Sequence, residues 1–375
     1  MKFGIPAETR ANETRVAATP ETVKKLTASG HHAVVIQSGA GAGSSIPDEQ
    51  FTASGATMLA SAAEVYQQCD VVLKVRAPDQ QELAQMRRGQ ILIGLLNPHA
   101  RDGVAALAQQ GITAFAMEAL PRISRAQNMD VLSSQANIGG YKAVLMAANA
   151  YGRLMPMLMT AAGTVKAARV VVMGVGVAGL QAIATAKRLG AVVEATDVRP
   201  ETKEQVESLG AKFIEVPLTD AEKELAKGQG GYAREMGEDY RNRQAALVAE
   251  RIRQADIVIT TALIPGRPAP VLVTEQMVKS MRPGSVIVDM AVEQGGNCPL
   301  SERDRTVVKH GVTLVGITNL PALVAADARA LYARNLLNFL GLMLDAKSGE
   351  FRINRDDEII SGTLLCMDGE VTRKG

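Results

Sequence analysis

The most informative motif in the sequence is the glycine sextet GVGVAG at positions 174–179. A short apolar run, 169–173, leads directly into it, and a helical pattern follows from 180 to 189. Glycine sextets are common, but a strand on one side and a helix on the other form the context that a dinucleotide-binding loop requires. The sequence therefore predicts a dinucleotide site here.

Each glycine has a different physical task in such a loop. Gly174 permits the tight turn after the strand, Gly176 lets the backbone approach a pyrophosphate, and Gly179 allows the helix to pack closely on the strand. The free N–H groups at the start of the helix, near Val177, and the helix dipole both favour an anion.

The choice of dinucleotide depends on Asp197, which ends the next predicted strand. A carboxylate there can accept both ribose hydroxyls of NAD(H). It would repel a 2′-phosphate at about 4 Å by roughly 4 kcal/mol at an intermediate dielectric. Arg199 could offset that repulsion, since arginines accommodate NADP, but the carboxylate at the strand tip favours NAD.

A second group of polar residues lies in the segment PRISRAQNMDVLSS, 121–134. It combines two cations, an amide, an anion and a hydroxyl, namely Arg122, Arg125, Gln127, Asp130 and Ser133. Loops that follow strands of an α/β sheet line its binding cleft. Composition alone is equally compatible with a solvated charged turn.

Two further segments have no clear chemistry. The glycines of 39–43 also follow a strand, but a proline and small polar residues come next, which predicts a loop with close turn packing. The segment 218–244 is rich in Gly, Lys and Glu; it predicts a mobile lid over a site, a disordered loop or a tolerated surface insertion.

Short apolar runs alternate with helical patterns along the chain, which predicts the α/β class with parallel sheets covered by helices. We expect two Rossmann-like parallel-sheet domains with a cleft between them: 1–133 completed by the tail 326–375, and 134–325 containing the glycine loop. The predicted strands are 3–8, 33–37, 71–75, 91–96 and 113–118 in the first domain, and 169–173, 192–196, 212–216, 256–261, 285–290 and 313–317 in the second. Helices are predicted from Pro20 to near Gly30, at 134–150 and at 321–344.

Composition excludes several classes of protein. The 375 residues are 47% hydrophobic and 21% charged, with a formal net charge of +2 and no polybasic block, so nucleic acid is not an expected partner. The three cysteines are widely separated, which predicts neither a disulfide framework nor a zinc site. No signal peptide or membrane span is recognisable, and we expect a soluble cytoplasmic protein without a metal.

Several motifs together resemble one family. They are GVGVAGLQAIATAKRLGA, ATDVR, PRISRAQNMD, GGYAREMG, TTALIPGRPAP and SVIVDMAVEQGGNCPL. The chain resembles the soluble NAD(H)-binding alpha subunits of proton-translocating NAD(P) transhydrogenases, which are related to alanine dehydrogenases. The similarity extends from the segment GIPAETRANETRVA to the end of the chain.

The resemblance implies a role for individual residues. Those of the 121–134 segment would surround the nicotinamide: Arg122, Gln127, Asp130 and Ser133. Those around the glycine loop would bind the pyrophosphate and adenosine: Gly174, Gly176, Val177, Gly179, Asp197, Val198 and Arg199. The mobile lid would contribute Gly231, Tyr232 and Met236, and further contacts would come from Gln244, Ala262 and Leu263.

The resemblance also implies a reaction and partners. Hydride would pass directly from NADH on this chain to NADP⁺ on a partner subunit, coupled to proton translocation by membrane-spanning subunits. The chain would be a homodimer, held at the inner face of the cell membrane through those subunits.

The alternative is an alanine dehydrogenase. In that group an Arg and a Lys hold the substrate carboxylate, and Arg15 and Lys74 stand at similar places. Its catalytic His aligns with Asn97, while His99 is two residues displaced, and its catalytic Asp aligns with Glu293. The missing imidazole argues against proton transfer at an amino acid. A non-catalytic NAD(H) sensor is a second alternative.

Overall fold

The computed structural model describes residues 1–199, 201–217, 238–345 and 348–372. Its strands, in chain order, are β1 Lys2–Ile5, β2 Ala33–Gln37, β3 Ala56–Leu59, β4 Val71–Arg76, β5 Ile91–Leu95, β6 Thr113–Ala116, β7 Leu158–Thr160, β8 Gly163–Val165, β9 Arg169–Met173, β10 Val192–Thr196, β11 Lys212–Phe213, β12 Ile257–Thr260, β13 Val286–Asp289, β14 Arg305–Lys309, β15 Val312–Gly316, β16 Leu364–Met367 and β17 Glu370–Val371.

The α-helices of the same residues are α1 Pro20–Thr27, α2 Asp48–Ala53, α3 Ala62–Gln68, α4 Gln80–Gln85, α5 Arg101–Gln109, α6 Val131–Ala150, α7 Val177–Arg188, α8 Thr202–Ser208, α9 Glu238–Gln254, α10 Glu275–Ser280, α11 Ala325–Leu340 and α12 Glu358–Thr363. The 3-10 helices are Ala42–Ser44, Met117–Ala119, Ser124–Met129, Val292–Gln294 and Leu320–Val324.

The chain divides into two compact units. Unit 1 comprises residues 1–135 and 321–375, and unit 2 comprises 136–320. These limits differ by two and five residues from the domain boundaries expected at 133/134 and 325/326.

Unit 1 is built on the sheet β17-β16-β6-β5-β4-β1-β2-β3, whose strands from β6 to β3 are parallel. Alternate residues of each strand face opposite sides, and both sides are buried. In β4, Val71 and Leu73 lie in one apolar cluster and Val72 lies in another. This two-sided burial explains the continuous apolar runs in the sequence.

Unit 2 is built on the sheet β11-β10-β9-β12-β13-β15-β14, parallel except for β14. In β9, Val170 and Val172 pack on one face while Val171 and Met173 pack on the other. The hairpin β7–β8 forms a separate small sheet.

The expected fold class is confirmed, but the expectation of purely parallel sheets is wrong at the edges. β14 pairs antiparallel with β15, and β16 pairs antiparallel with both β6 and β17. These edge strands are short or mixed in polarity, and β14 has no fully buried residue. They therefore lack the continuous apolar run that marks a central strand.

Local chemistry explains several element limits. Thr19 and Thr22 form a reciprocal capping box at the start of α1, with Pro20 in the first turn, as the sequence predicts. The first predicted strand stops at Ile5, because Pro6 has no N–H for the ladder. The segment predicted as one helix at 321–344 starts instead as a 3-10 turn, and its α-helix ends at Leu340.

The glycines at 39–43 pack as the sequence predicts. A Cβ on Gly41 would lie 2.5 Å from the carbonyl oxygen of Ile46. However, the predicted plain loop after them contains the 3-10 helix and α2, which begins at Asp48.

Gly140 explains a feature that the sequence left unassigned, a glycine in the middle of the long helix α6. A Cβ at this position would lie 2.1 Å from the carbonyl oxygen of Ala178, at the start of α7. The two helices therefore approach at backbone contact distance, beside the glycine loop.

Substitution of Gly140 tests this contact. We expect Gly140→Ala to destabilise unit 2 by about 3 kcal/mol, because neither backbone can move without disturbing its helix. That corresponds to a decrease in Tm of about 6 °C or more in thermal denaturation. Gly103→Ala is the matched control: its Cβ would meet only the Cβ of Ala100, at 3.8 Å, so Tm should stay level or rise. Equal Tm values for the two variants would contradict the close approach.

Candidate functional site

The sheet of unit 2 has a topological switch point between β9 and β12. From β9 the chain proceeds through β10 to β11 on one side, and then returns to place β12 on the other. In open α/β sheets, ligands bind at the carboxyl ends of the strands that flank such a point. The loops after β9, β10 and β12 are therefore the place to look for a ligand.

The loop after β9 has the backbone geometry of a phosphate cradle. Gly174 takes a φ of +97°, which favours glycine, and its N–H donates to the carbonyl oxygen of Thr196 at 2.9 Å. A Cβ on Gly179 would lie 1.9 Å from the carbonyl oxygen of Gly174. Gly176 is exposed, and a Cβ there would have nothing within 4 Å.

The start of α7 fits an anion. Gly176 is the N-cap residue of this helix, and no side chain caps the first turn. The N–H groups of that turn, which include that of Val177, therefore lack a side-chain acceptor and carry the positive end of the helix dipole. Open space at Gly176 beside these donors suits a pyrophosphate.

The loop after β10 carries Asp197, whose two oxygens each accept two hydrogen bonds. One accepts from the backbone N–H and Nε of Arg199, both at 2.9 Å. The other accepts from the N–H of Val175 at 2.6 Å and from the second guanidinium branch of Arg199 at 3.1 Å. Between them, Val198 is 94% exposed.

This network fixes the charge on Asp197. Burial alone would raise its pKa, but the hydrogen bonds from Arg199 and Val175 outweigh burial and hold the pKa below the ordinary 3.8. The carboxylate is therefore charged at neutral pH. It also ties the glycine loop to the end of β10 through Val175.

The loop after β12 lies against the glycine loop. The Thr261 hydroxyl donates to the carbonyl oxygen of Gly174 at 3.0 Å, and the Thr261 N–H donates to that of Met173 at 2.9 Å. Ala262 follows, and Leu263 is 47% exposed. Sequence reasoning did not identify Thr261; a hydroxyl directly after an apolar strand was the available signal.

Gln244 links α9 to the strand edge of unit 2. Its side-chain oxygen accepts from the N–H of Val216 at 3.0 Å, and its amide donates to the carbonyl oxygen of Ile214 at 2.9 Å. These bonds hold the backbone after β11 rather than leave the amide free. Gly231, Tyr232 and Met236, the expected lid residues, lie outside the described residues.

The second predicted group lies in unit 1. Arg122 and Gln127 are exposed, whereas Asp130 and Ser133 are half-buried. Asp130 precedes α6 and caps it, accepting from the Ser133 N–H at 2.9 Å and from the Ser133 hydroxyl at 2.5 Å. Arg125 forms a two-pronged ion pair with Asp357 instead, at 2.7 and 2.9 Å.

Unit 1 also buries charged groups that the sequence suggested as a carboxylate site. The guanidinium of Arg15 binds both oxygens of Glu13, at 2.7 and 2.6 Å, and the side chain of Gln135 at 2.7 Å. The ammonium of Lys74 lies 2.6 Å from Glu82 and 3.4 Å from Glu8. Sequence reasoning missed these three glutamates.

The pKa values of this cluster reflect its burial. Burial raises the pKa of Glu8. Burial also opposes ionisation of Glu13, but the hydrogen bonds and charge of Arg15 lower its pKa to about 2. Both cations therefore already have carboxylate partners from this chain.

Asn97, where the related dehydrogenases would have an imidazole, lies in an exposed turn. Its φ is +54°, and its N–H donates to a carboxylate oxygen of Glu118 at 2.6 Å. The other carboxylate oxygen of Glu118 is buried without a hydrogen-bond partner, and burial raises its pKa. His99 is exposed.

Two family models match the chain. Residues 4–139 match the model described as "Alanine dehydrogenase/PNT, N-terminal domain", and residues 143–374 match "Alanine dehydrogenase/PNT, C-terminal domain". Among the described residues, no helix is both long and apolar enough to cross a membrane.

Individual relatives give the same picture. The chain is 55% identical to the first segment of a split NAD(P) transhydrogenase alpha subunit from Rhodospirillum rubrum, over 99% of this chain and 97% of that one. A solved transhydrogenase from Sinorhizobium meliloti is 50% identical, with a TM-score of 0.89 over 99% and 100% of the two chains. Alanine dehydrogenase of Bacillus subtilis is more distant, at 31% identity over 99% and 93%.

Proposed function

Because the chain belongs to the alanine dehydrogenase/PNT family, we propose that it is the NAD(H)-binding subunit of a proton-translocating transhydrogenase. Hydride passes from NADH on this chain to NADP⁺ on a partner subunit. The observation that carries the proposal is the geometry of unit 2: an open cradle at Gly176 beside a charged Asp197. That pairing suits a pyrophosphate and an unphosphorylated ribose in one ligand.

The reaction requires little acid–base chemistry from the protein. NADH supplies the hydride, and neither nicotinamide gains or loses a proton. The chain must therefore hold the nucleotide, orient the carboxamide and exclude water. We assign the pyrophosphate to 174–179 and the adenosine ribose to Asp197, with Val198 and Arg199 beside it.

We assign the nicotinamide to residues of unit 1 and to the loop after β12. The unit 1 residues are Arg122, Gln127, Asp130 and Ser133, and the loop contributes Ala262 and Leu263. The negative charge of Asp130 favours the cationic, oxidised ring. Gly231 and Tyr232 belong to a lid that closes over bound nucleotide, and Gln244 supports the backbone beside it.

The buried cations of unit 1 favour transhydrogenation over alanine dehydrogenation. An amino-acid carboxylate could bind Arg15 only by displacing Glu13, and could bind Lys74 only by displacing Glu82. Removing a buried carboxylate from its partner is strongly unfavourable. No imidazole stands at Asn97 to transfer a proton, which the oxidation of an amine requires.

The proposal includes partners and a location. The NADP(H)-binding and membrane-spanning subunits complete the enzyme and couple hydride transfer to proton translocation. Two copies of this chain form a homodimer, held through those subunits at the inner face of the cell membrane.

Two assays on the intact chain separate the alternatives. The first mixes it with an NADP(H)-binding partner subunit and follows reduction of an NAD⁺ analogue by NADPH in a stopped-flow instrument. The second supplies NAD⁺ and L-alanine without a partner. We expect exchange in the first and no NADH in the second. Robust alanine-dependent reduction would favour the dehydrogenase, and binding without exchange would favour a sensor.

Asp130 provides a specific test of the nicotinamide site. We expect Asp130→Asn to slow hydride transfer about tenfold or more while it changes the Kd for NADH far less, because the lost charge acts on the developing cation. Asn caps helices as well as Asp does, so α6 should be unaffected. Asp79→Asn, the same change at the N-cap of α4, is the control. Equal losses of rate and affinity would contradict a positioning role for the charge.

A further inference from the structure

Asn297 is a fully buried amide in unit 2 that holds the loop after β12. Its side-chain oxygen accepts from the N–H of Ala262 at 3.1 Å. Its side-chain nitrogen donates to the carbonyl oxygen of Ala262 at 2.9 Å and to that of Pro270 at 2.8 Å. One side chain thus binds both polar backbone groups of a single residue and fixes the peptide planes on either side of it.

Asn297 is itself held by Asp289, the last residue of β13, which is also fully buried. One oxygen of Asp289 accepts from the backbone N–H of Asn297 at 3.1 Å, and the other accepts from that of Cys298 at 3.0 Å. The carbonyl oxygen of Asn297 accepts from the N–H groups of Leu272 and Val273 at 2.8 and 3.0 Å. The amide therefore has little freedom to turn.

The backbone that Asn297 holds continues directly into the nucleotide site. Thr261 precedes Ala262 and donates to Gly174 of the glycine loop, at 3.0 Å. Leu263 and Ile264 follow Ala262 and are 47% and 45% exposed. Asn297 thus fixes the base of a short loop whose tip presents two apolar side chains.

The order of strands indicates which half of a dinucleotide this loop faces. β10, with Asp197 after it, lies on one side of β9, and β12 lies on the other. A dinucleotide that places its adenosine ribose at Asp197 crosses the glycine loop and brings its nicotinamide half to the β12 side. The loop held by Asn297 is therefore on the nicotinamide side.

We propose that Asn297 is a positioning residue for the nicotinamide half of the bound nucleotide, acting through Ala262 and its neighbours. This inference rests on the proposed function only in that NAD(H) must bind at the glycine loop. It assigns Asn297 a task that differs from that of a general core residue: the adenosine half does not depend on it.

The variant Asn297→Asp is nearly isosteric. It retains the acceptor for the Ala262 N–H but places an oxygen against two carbonyl oxygens, so the backbone at Ala262 must move. Asn297→Ala removes all three side-chain bonds and serves as a second variant if the first folds poorly. Ser285→Ala is the matched control, because Ser285 is buried and binds the Ala255 carbonyl oxygen at the opposite end of the same two strands.

The measurement is the Kd of each protein for NADH and for 5′-AMP, by fluorescence and calorimetric titration. We expect Asn297→Asp and Asn297→Ala to raise the Kd for NADH about tenfold and to leave the Kd for AMP within about twofold, while Ser285→Ala changes neither. The fluorescence of bound NADH should also change in the Asn297 variants, since its reduced ring is then held differently.

Other outcomes overturn the inference. A parallel loss of both ligands would make Asn297 a structural residue, and no loss of either would leave it without a role. Failure of the unsubstituted chain to bind NADH would instead overturn the proposed function itself.

Discussion

Asp197→Asn is expected to move nucleotide preference toward NADP(H), by about 100-fold in the ratio of the Kd values for NADH and NADPH. A charged carboxylate about 4 Å from a 2′-phosphate contributes roughly 4 kcal/mol of repulsion at an intermediate dielectric, about 1,000-fold before solvent screening reduces it. The substitution also releases Arg199, whose guanidinium contacts both oxygens of Asp197. A released cation at this position can bind the added phosphate.

The double variant Asp197→Asn/Arg199→Ala separates these two effects. It should lose the part of the gain that Arg199 provides, while Arg199→Ala alone should retain the preference for NAD(H). Fluorescence titration with NADH and NADPH measures all four proteins. An unchanged ratio in Asp197→Asn would contradict the role of this carboxylate in nucleotide choice.

The same network predicts how selectivity depends on pH. The pKa of Asp197 lies below the ordinary 3.8, so its charge is complete at neutral pH and is lost only as pH falls through that lowered value. The preference for NAD(H) should therefore be constant down to at least about pH 5. A loss of selectivity between about pH 8 and pH 5 would require a different titrating group.

The second large effect is expected at the glycine loop, where two substitutions should separate binding from folding. Ala can adopt the backbone of Gly176, with a φ of −81°, and its Cβ would meet nothing within 4 Å. Gly176→Ala should therefore fold normally. Its methyl group would lie where a pyrophosphate approaches the helix, so the Kd for NADH should rise about 100-fold.

Gly179→Ala is the contrasting variant. Its Cβ would lie 1.9 Å from the Gly174 carbonyl oxygen, so the loop must distort and unit 2 should lose several degrees of Tm together with NADH binding. Thermal denaturation and NADH titration distinguish the two variants. Normal NADH affinity in Gly176→Ala would place the pyrophosphate elsewhere.

The central parallel strands could be predicted from sequence because their signal is local. The limits of β2, β9 and β10 coincide with the predicted runs 33–37, 169–173 and 192–196. Each run is apolar on both faces of a doubly covered sheet, so no choice of register is needed to recognise it. The edge strands β14, β16 and β17 lack that signal.

The candidate site divides in the same way. Gly174, Gly179 and Asp197 could be recognised because their spacing in the chain reflects one strand–turn–helix unit. Asn297 could not, because its partner Ala262 is 35 residues away and the bond joins a side chain to backbone groups that every residue has. Gly140 could not be interpreted either, since its contact with Ala178 appears only when two helices pack.

The buried cations illustrate a different limit. Arg15 and Lys74 were recognised as possible carboxylate ligands from their positions in the chain. The sequence does not reveal that Glu82, eight residues after Lys74, folds back to within 2.6 Å of its ammonium group. Charge pairing of this kind depends on the three-dimensional path of the chain, and here it changes the interpretation of the whole cluster.

The most direct test of the account follows an isotope from one nucleotide to the other. NADH carrying deuterium at the transferred position of the nicotinamide is mixed with this chain, an NADP(H)-binding partner subunit and NADP⁺, and the NADPH formed is analysed by mass spectrometry. We predict complete transfer of the label without exchange with water, because hydride passes between the two rings in one step. NADPH without the label, or none formed while L-alanine reduces NAD⁺, would contradict the account.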